Sequence, residues 1–251
     1  MTSRSRHHGA NIVLLVALLM WAGWGESAAA DDTGLYYAVQ HQAMVYSQPD
    51  SSKPYMRLRM QEPVHLVNRN GTWCEVETDD GANGYMACDT ISNLWIRVSK
   101  LRQRVYVYQG TELVRTIKAD LGYNTFADKE RRGSTRFRDH WRTPEGQFYV
   151  VRKNPNSQFY KAFVINYPTA SDAERGRKNG LISESEYTAI VEADKQFRMP
   201  PMNTELGGWI EIHGDGTGRA TNWTQGCIAI PNHIIDALWD EVKVGTPVLI
   251  E

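Results

Sequence analysis

The 251 residues set 28 lysines and arginines against 29 aspartates and glutamates, and the resulting formal charge of −1 gives no electrostatic footprint for a polyanion. Nucleic acid is therefore excluded as a partner class. A hydrophobic share of 41% is ordinary for globular protein and sufficient for one large or two modest cores.

The chain opens with Arg4, Arg6, His7 and His8, followed by the apolar stretch Ile12 to Trp24 and by Ala28-Ala29-Ala30 before Asp31-Asp32. This is the pattern of a secretory signal peptide over residues 1–30 with cleavage near Ala30. The apolar stretch is shorter than the roughly 20 residues a spanning helix needs, and no later segment approaches that length, so no membrane span is expected in the mature chain. Residues 1–30 contain Arg4, Arg6 and Glu26, so the remainder keeps 26 of the 28 basic and 28 of the 29 acidic side chains, a formal charge of −2.

Residues 31–99 carry short alternating runs, among them Tyr36-Tyr37-Ala38-Val39, Val64-His65-Leu66-Val67 and Trp73-Cys74-Glu75-Val76-Glu77. Gln48-Pro49-Asp50, Asn70-Gly71 and Asp79-Asp80-Gly81 break them with turn chemistry, and the spacing predicts a small β-barrel. Cys74 and Cys88 both fall here. In an exported chain they form a candidate disulfide that would staple a small core, with two buried free thiols as the alternative, and either leaves Cys227 unpaired.

A second domain is expected over residues 100–251. Arg104 to Tyr108 and Leu113 to Ile117 flank Gln109-Gly110-Thr111 as a hairpin, and further strands are predicted at 147–152, 162–167, 209–213, 227–230 and 247–250. The fold class is mainly β, a sandwich or barrel. The run Asp128-Lys129-Glu130-Arg131-Arg132 reads as an exposed loop. Residues 171–206 depart from the strand pattern, with capping-box signatures at Ser171/Glu174 and Ser183/Glu186, and form a helical insertion placed either as a wall or lid of a site or as surface packing. Asn232 to Lys243 is read as an amphipathic helix packing on the core.

The chemistry concentrates near the C-terminal end. Trp209-Ile210-Glu211-Ile212-His213 alternates as a half-buried strand and stops at a glycine-rich loop, and fourteen residues later Cys227 follows Thr224-Gln225-Gly226. A free thiol has a pKa near 8.5, and an imidazole beside it raises its thiolate fraction or takes its proton during attack. Gly226 lets a substrate carbonyl approach main-chain N–H groups, so Gly226 and Cys227 are candidates for an oxyanion site. On local chemistry alone a buried structural cysteine is the competing reading. No Cys or His spacing suits zinc, and neither metal nor organic cofactor is called for.

Ile212-His213-Gly214 followed by Thr224-Gln225-Gly226-Cys227-Ile228 resembles the paired His and Ser/Thr-x-Gly-Cys signature of the YkuD-type L,D-transpeptidase catalytic domain. Arg142-Thr143-Pro144-Glu145-Gly146, Lys153-Asn154-Pro155 and Val244-Gly245-Thr246-Pro247-Val248 stand in that family's order, and Asn222 to Cys227 is similar to its YafK-like branch. Asn70 to Val76 with Asn83 to Met86 resembles the closing half of a bacterial SH3-type domain. The chain departs from the family at Ala229 and Gln225, where the commonest signature has arginine and histidine, so the resemblance does not carry over how the substrate carboxylate is recognised or which acyl acceptor is used; Arg142 and Arg219 are the arginines weighed for the carboxylate.

The resemblance implies a periplasmic enzyme acting on peptidoglycan stem peptides, with Cys227 as nucleophile through a thioester, and His213 as general base. Gly214, Trp223, Thr224, Gln225 and Arg142 are the expected substrate-binding residues. The acyl acceptor is a stem peptide or an envelope protein's amine in a transpeptidase, and water in a hydrolase or amidase. A noncatalytic wall-binding protein built around the SH3-like domain is the alternative outside the enzyme class.

Overall fold

The computed structural model describes residues 34–251; the signal peptide expected over residues 1–30 lies outside the described residues. The described residues form one compact unit. Its first sheet contains β1 (Gly34–Ala38), β2 (Ala43–Tyr46), β3 (Pro54–Leu58), β4 (Pro63–Asn70), β5 (Trp73–Thr78), β6 (Asn83–Ala87) and β7 (Ile91–Ser92). They lie in the order β3-β2-β6-β5-β4-β1-β7, and all of these pairings are antiparallel.

Alternation in the sequence decides which face is covered. In β5, Cys74, Val76 and Thr78 are buried while Trp73, Glu75 and Glu77 are not, and the buried set joins Val45, Leu66 and Met86 in a small core. A disulfide links Cys74 and Cys88 across a sequence separation of 14. This sheet meets the rest of the unit through Gln61, whose side chain donates to the Gly245 carbonyl at 2.9 Å, and through the Tyr37 hydroxyl on the Leu94 carbonyl.

The larger sheet begins with β8 (Leu94–Ser99), β9 (Arg104–Gln109) and β10 (Glu112–Lys118). After the short β11 (Leu121–Gly122) come β12 (Gly146–Ser157), β13 (Tyr160–Ile165), β14 (Glu211–His213), β15 (Asn222–Thr224), β16 (Ile228–Ala229) and β17 (Pro247–Ile250). The order is β10-β9-β8-β17-β12-β13-β14-β16, with β11 and β15 paired to one side. β8 with β17 and β14 with β16 are parallel pairs inside an otherwise antiparallel sheet. Ile96, Val107, Phe163, Ile165, Ile212 and Ile228 fill its core. The fold is mainly β, with a helical insertion.

The insertion consists of α1 (Ala170–Lys178) and α2 (Glu184–Lys195), and a third helix, α3 (Asn232–Leu238), packs on the core through Ile235 and Leu238. Ser183 and Glu186 form the capping box of α2. For α1 the box is Thr169 and Asp172, two residues earlier than the Ser171/Glu174 pattern, because Asp172 is buried and its carboxylate accepts from the Thr169 N–H at 2.9 Å. α3 is shorter than the 232–243 expectation. Among the described residues no helix is long and apolar enough to cross a membrane.

A bridge closing a loop of this length stabilises a small core by about 3 kcal/mol through the unfolded state. The double variant Cys74→Ala/Cys88→Ala should lower the first thermal unfolding transition, with faster amide exchange confined to β4–β6. An unchanged melting curve would show that the bridge carries no stability.

Candidate active site

β14 and β16 run parallel with Ile212 opposite Ile228 and His213 opposite Ala229, so the histidine ends one strand where the residues just after Cys227 begin the next. Trp209, expected in the strand, has φ +54 and stands outside it; the strand starts at Glu211. Gly226 has φ +130, and a Cβ there would lie 2.4 Å from the Arg142 carbonyl oxygen, so only glycine turns the chain into Cys227 at this point.

Cys227 and His213 line one cleft of about 730 Å³, together with Trp209, Glu211, Phe159 and Lys129. The Cys227 thiol donates to the Trp209 carbonyl at 3.4 Å. Burial pushes this thiol up to about 12, the negative charge of Glu211 adds to the rise, and the Glu211 N–H and the Lys129 ammonium act against it. The side chain is partly accessible from the cleft, so it is a protonated thiol that reagents can reach.

His213 is 1% exposed, and its Nδ1 lies 2.6 Å from the Gly214 carbonyl. A carbonyl only accepts, so Nδ1 carries the proton and Nε2 is the basic nitrogen. Burial lowers the imidazole pKa below its ordinary value, against smaller upward pulls from Gly214, Asp215 and Asp120. The resting pair is thus thiol and neutral imidazole, not thiolate and imidazolium. Phe159 stacks on the His213 ring at 4.5 Å between centroids, and Trp223 meets it edge-on at 6.3 Å.

The loop between the two strands is organised by Asp120, which is wholly buried. Its carboxylate accepts from the Thr217 N–H at 2.6 Å and hydroxyl at 2.8 Å, the Thr221 N–H at 2.9 Å and the Trp223 indole at 3.0 Å. Burial alone would raise its pKa, but these bonds outweigh it and hold the group lowered and ionised.

Of the residues singled out from the sequence, Trp223, Thr224 and Gln225 line the cleft. Gly214 holds the imidazole through its carbonyl. Arg142 is not a lining residue: its guanidinium pairs with Asp139 and donates to the Asp128 carbonyl at 3.2 Å, while its own carbonyl backs Gly226. Arg219 is exposed and also away from the cleft. Thr224 Oγ1 accepts from the Gly226 N–H at 3.2 Å and donates to the Cys227 carbonyl at 2.7 Å. The insertion contributes Met202 to the cleft wall, while α1 and α2 form a separate core with Leu206.

Residues 128–132 are not simply an exposed loop, because Lys129 is 3% exposed and faces the cleft. Glu211, Phe159, Asp120 and Lys129 were not among the expected site residues. Glu211 had a signal, since two-residue alternation puts it on the face of His213; the others belong to segments whose burial is decided by distant packing. Among the described residues no group of three His, Cys, Asp or Glu side chains is placed to hold a metal ion.

The L,D-transpeptidase catalytic domain family, YkuD, matches residues 93–250, and the bacterial SH3 domain matches residues 39–95. The first match covers more than half of the chain, and the chain belongs to the YkuD L,D-transpeptidase catalytic domain family. Similar solved structures include an L,D-transpeptidase from Xylanimonas cellulosilytica, 18% identical over 64% of this chain and 61% of that one, TM-score 0.38. Bdellovibrio bacteriovorus Bd1075 is 22% identical over 64% and 47%, TM-score 0.38, and an L,D-transpeptidase from Mycobacterium smegmatis is 13% identical over 87% and 82%, TM-score 0.38. The chain therefore spans less than two thirds of the first two. Comparison with curated proteins gives no match.

Two outcomes follow from this geometry. Glu211→Gln removes a negative charge that opposes thiolate formation, so Cys227 should alkylate about tenfold faster at pH 8 if the coupling is near one pK unit; an unchanged rate would remove Glu211 from the thiol's electrostatics. Asp120→Ala leaves the Thr217 and Thr221 amides without their acceptor, and their hydrogen exchange should accelerate by an order of magnitude or more. Equal protection in the variant would mean that the loop is held by other contacts.

Proposed function

We propose that the protein is a cysteine-dependent L,D-transpeptidase acting on peptidoglycan stem peptides. The observation that carries this reading is the placing of Cys227 and His213 on one cleft in a chain of this family. In the proposed reaction, His213 Nε2 takes the Sγ proton as sulfur attacks the carbonyl of the third stem residue, typically diaminopimelate. The intermediate collapses to a thioester on Cys227, the C–N bond breaks, and the departing D-alanine amine receives the proton from His213. An incoming amine of a second stem peptide or an envelope protein then attacks the thioester and gives a proton to His213, the C–S bond breaks, and His213 returns that proton to the departing Cys227 sulfur.

The Gly226 N–H is already engaged by the Thr224 hydroxyl, so the Cys227 N–H is the amide assigned to the developing oxyanion. Trp223, Thr224 and Gln225 are assigned to the substrate peptide because they line the cleft. A neutral resting pair demands proton transfer during attack rather than a standing thiolate. The wording of Asn222 to Cys227 supports the YafK-like branch, and the SH3-like part is read as a module for wall or partner binding. The expected signal sequence supports export to the periplasm.

A second reading, a hydrolase or amidase in which water resolves the thioester, is favoured by one observation: Ala229, two residues after Cys227 in β16, is buried and brings no cation there. Mass spectrometry of soluble muropeptides after incubation with disaccharide tetrapeptide and with whole sacculi separates the two. Cross-linked dimers formed with loss of D-alanine, absent with Cys227→Ala, are the expected result. Cysteine-dependent release of peptide or attached protein without dimers makes it a hydrolase, and no cysteine-dependent product overturns both. Because burial lowers the His213 pKa, the base stays neutral down through pH 6.5, and the acid limb of kcat/KM should fall below that value. A limb centred above pH 7 would contradict the assignment of His213 as base.

A further inference from the structure

The side chain of Lys129 occupies a position that folding alone does not explain. It is 3% exposed, and burying an ammonium is costly unless a partner compensates it. Its Nζ makes two long contacts, 3.4 Å to the His140 carbonyl and 3.4 Å to the Gln225 carbonyl. Among the described residues no carboxylate forms an ion pair with it; the nearby Asp128 is paired with Arg175 at 3.1 Å, and Arg175 also donates to the Lys129 main-chain carbonyl at 2.9 Å.

The surroundings fix where this cation points its charge. Gln225 is two residues before Cys227, Lys129 and Cys227 line the same cleft, and Gly207 packs against the lysine so closely that a Cβ there would lie 3.1 Å from Lys129 Cε. Arg132 and Arg142 are the other cations acting on it, Asp128 is the acid acting on it, and Glu211 and His213 are the remaining titratable groups of the cleft. During acyl transfer the developing oxyanion belongs to the substrate, and the protein group in this cleft that gains negative charge is the Cys227 sulfur.

We propose that Lys129 is the counter-ion of the Cys227 thiolate, a positioning residue that stabilises the sulfur anion while the proton passes to His213. This deepens the assignment of Cys227 as nucleophile and rests on it. Lys129 itself keeps its proton throughout, so the transfer balances between Sγ and Nε2. Two charge effects agree with the placement. Cys227 is the leading charge acting to raise the Lys129 pKa, and Lys129 acts in return to lower that of Cys227. Burial, aided by Arg132 and Arg142, nevertheless brings Lys129 down to about 8. The stabilisation is accordingly present below pH 8 and fades above it.

The test is the pH dependence of Cys227 alkylation by iodoacetamide, with the other two cysteines held in their disulfide. It needs no peptidoglycan, so its failure is distinct from failure of the proposed reaction. In the wild type the rate should rise with pH and flatten above about 8, as Lys129 loses its charge. Lys129→Met and the second neutral variant Lys129→Gln, each checked for folding by thermal denaturation, should alkylate about tenfold more slowly at pH 7 and show no flattening. Lys129→Arg should retain the fast rate and keep rising past pH 8. Folded neutral variants with the wild-type profile would overturn the proposal. So would an unchanged profile accompanied by a raised KM for tetrapeptide, which would give Lys129 to the substrate rather than to the thiol.

Discussion

The wholly buried carboxylate of Asp120 is the constraint on which the site depends. It gathers the Thr217 and Thr221 amides and the Trp223 indole, and its backbone exchanges hydrogen bonds of 2.9 Å with Ala229. One residue therefore ties the loop after His213 to the strand after Cys227. A loop rich in glycine loses much conformational freedom on ordering, and an ionised acceptor shared by several donors is a strong way to offset that loss. With the loop fixed, Trp223 is held edge-on to His213 and the imidazole is pressed against Phe159.

The electrostatics of the cleft are balanced, not uniformly activating. Glu211 and burial hold the thiol protonated, burial holds the imidazole neutral, and Lys129 opposes the first of these. A thiol kept in this state resists oxidation and stray acylation, because the thiolate is the reactive species. In the proposed reaction the sulfur needs negative charge only as it attacks, and that is where a preorganised cation is most effective.

The fold was legible where alternation and turn chemistry are local. The hairpin of β9 and β10, the strand carrying His213 and the capping box at Ser183 follow from neighbouring residues alone. The pairing of candidate nucleophile and base came instead from the resemblance of two short motifs, because local chemistry alone left a structural cysteine as the competing reading. Legibility failed where burial comes from afar. Lys129 stands in a run of charges that looks solvated by every local measure, and only the packing of Gly207, His140 and Gln225 around it encloses it. Asp120 is similarly silent, a single acid between Ala119 and Leu121 whose partners are about a hundred residues away. Arg142 shows the opposite error, a motif arginine whose guanidinium is engaged by Asp139 and whose carbonyl, not its charge, touches the thiol turn.

The central claim is that Cys227 carries the acyl group, and the mass of the intact protein tests it most directly. Acid quenching within the first turnover on a disaccharide tetrapeptide should reveal an adduct equal to the substrate less D-alanine, located on Cys227 and removed by hydroxylamine as a thioester is. D-alanine release with no adduct in the wild type, and continuing undiminished in Cys227→Ala, would contradict the account.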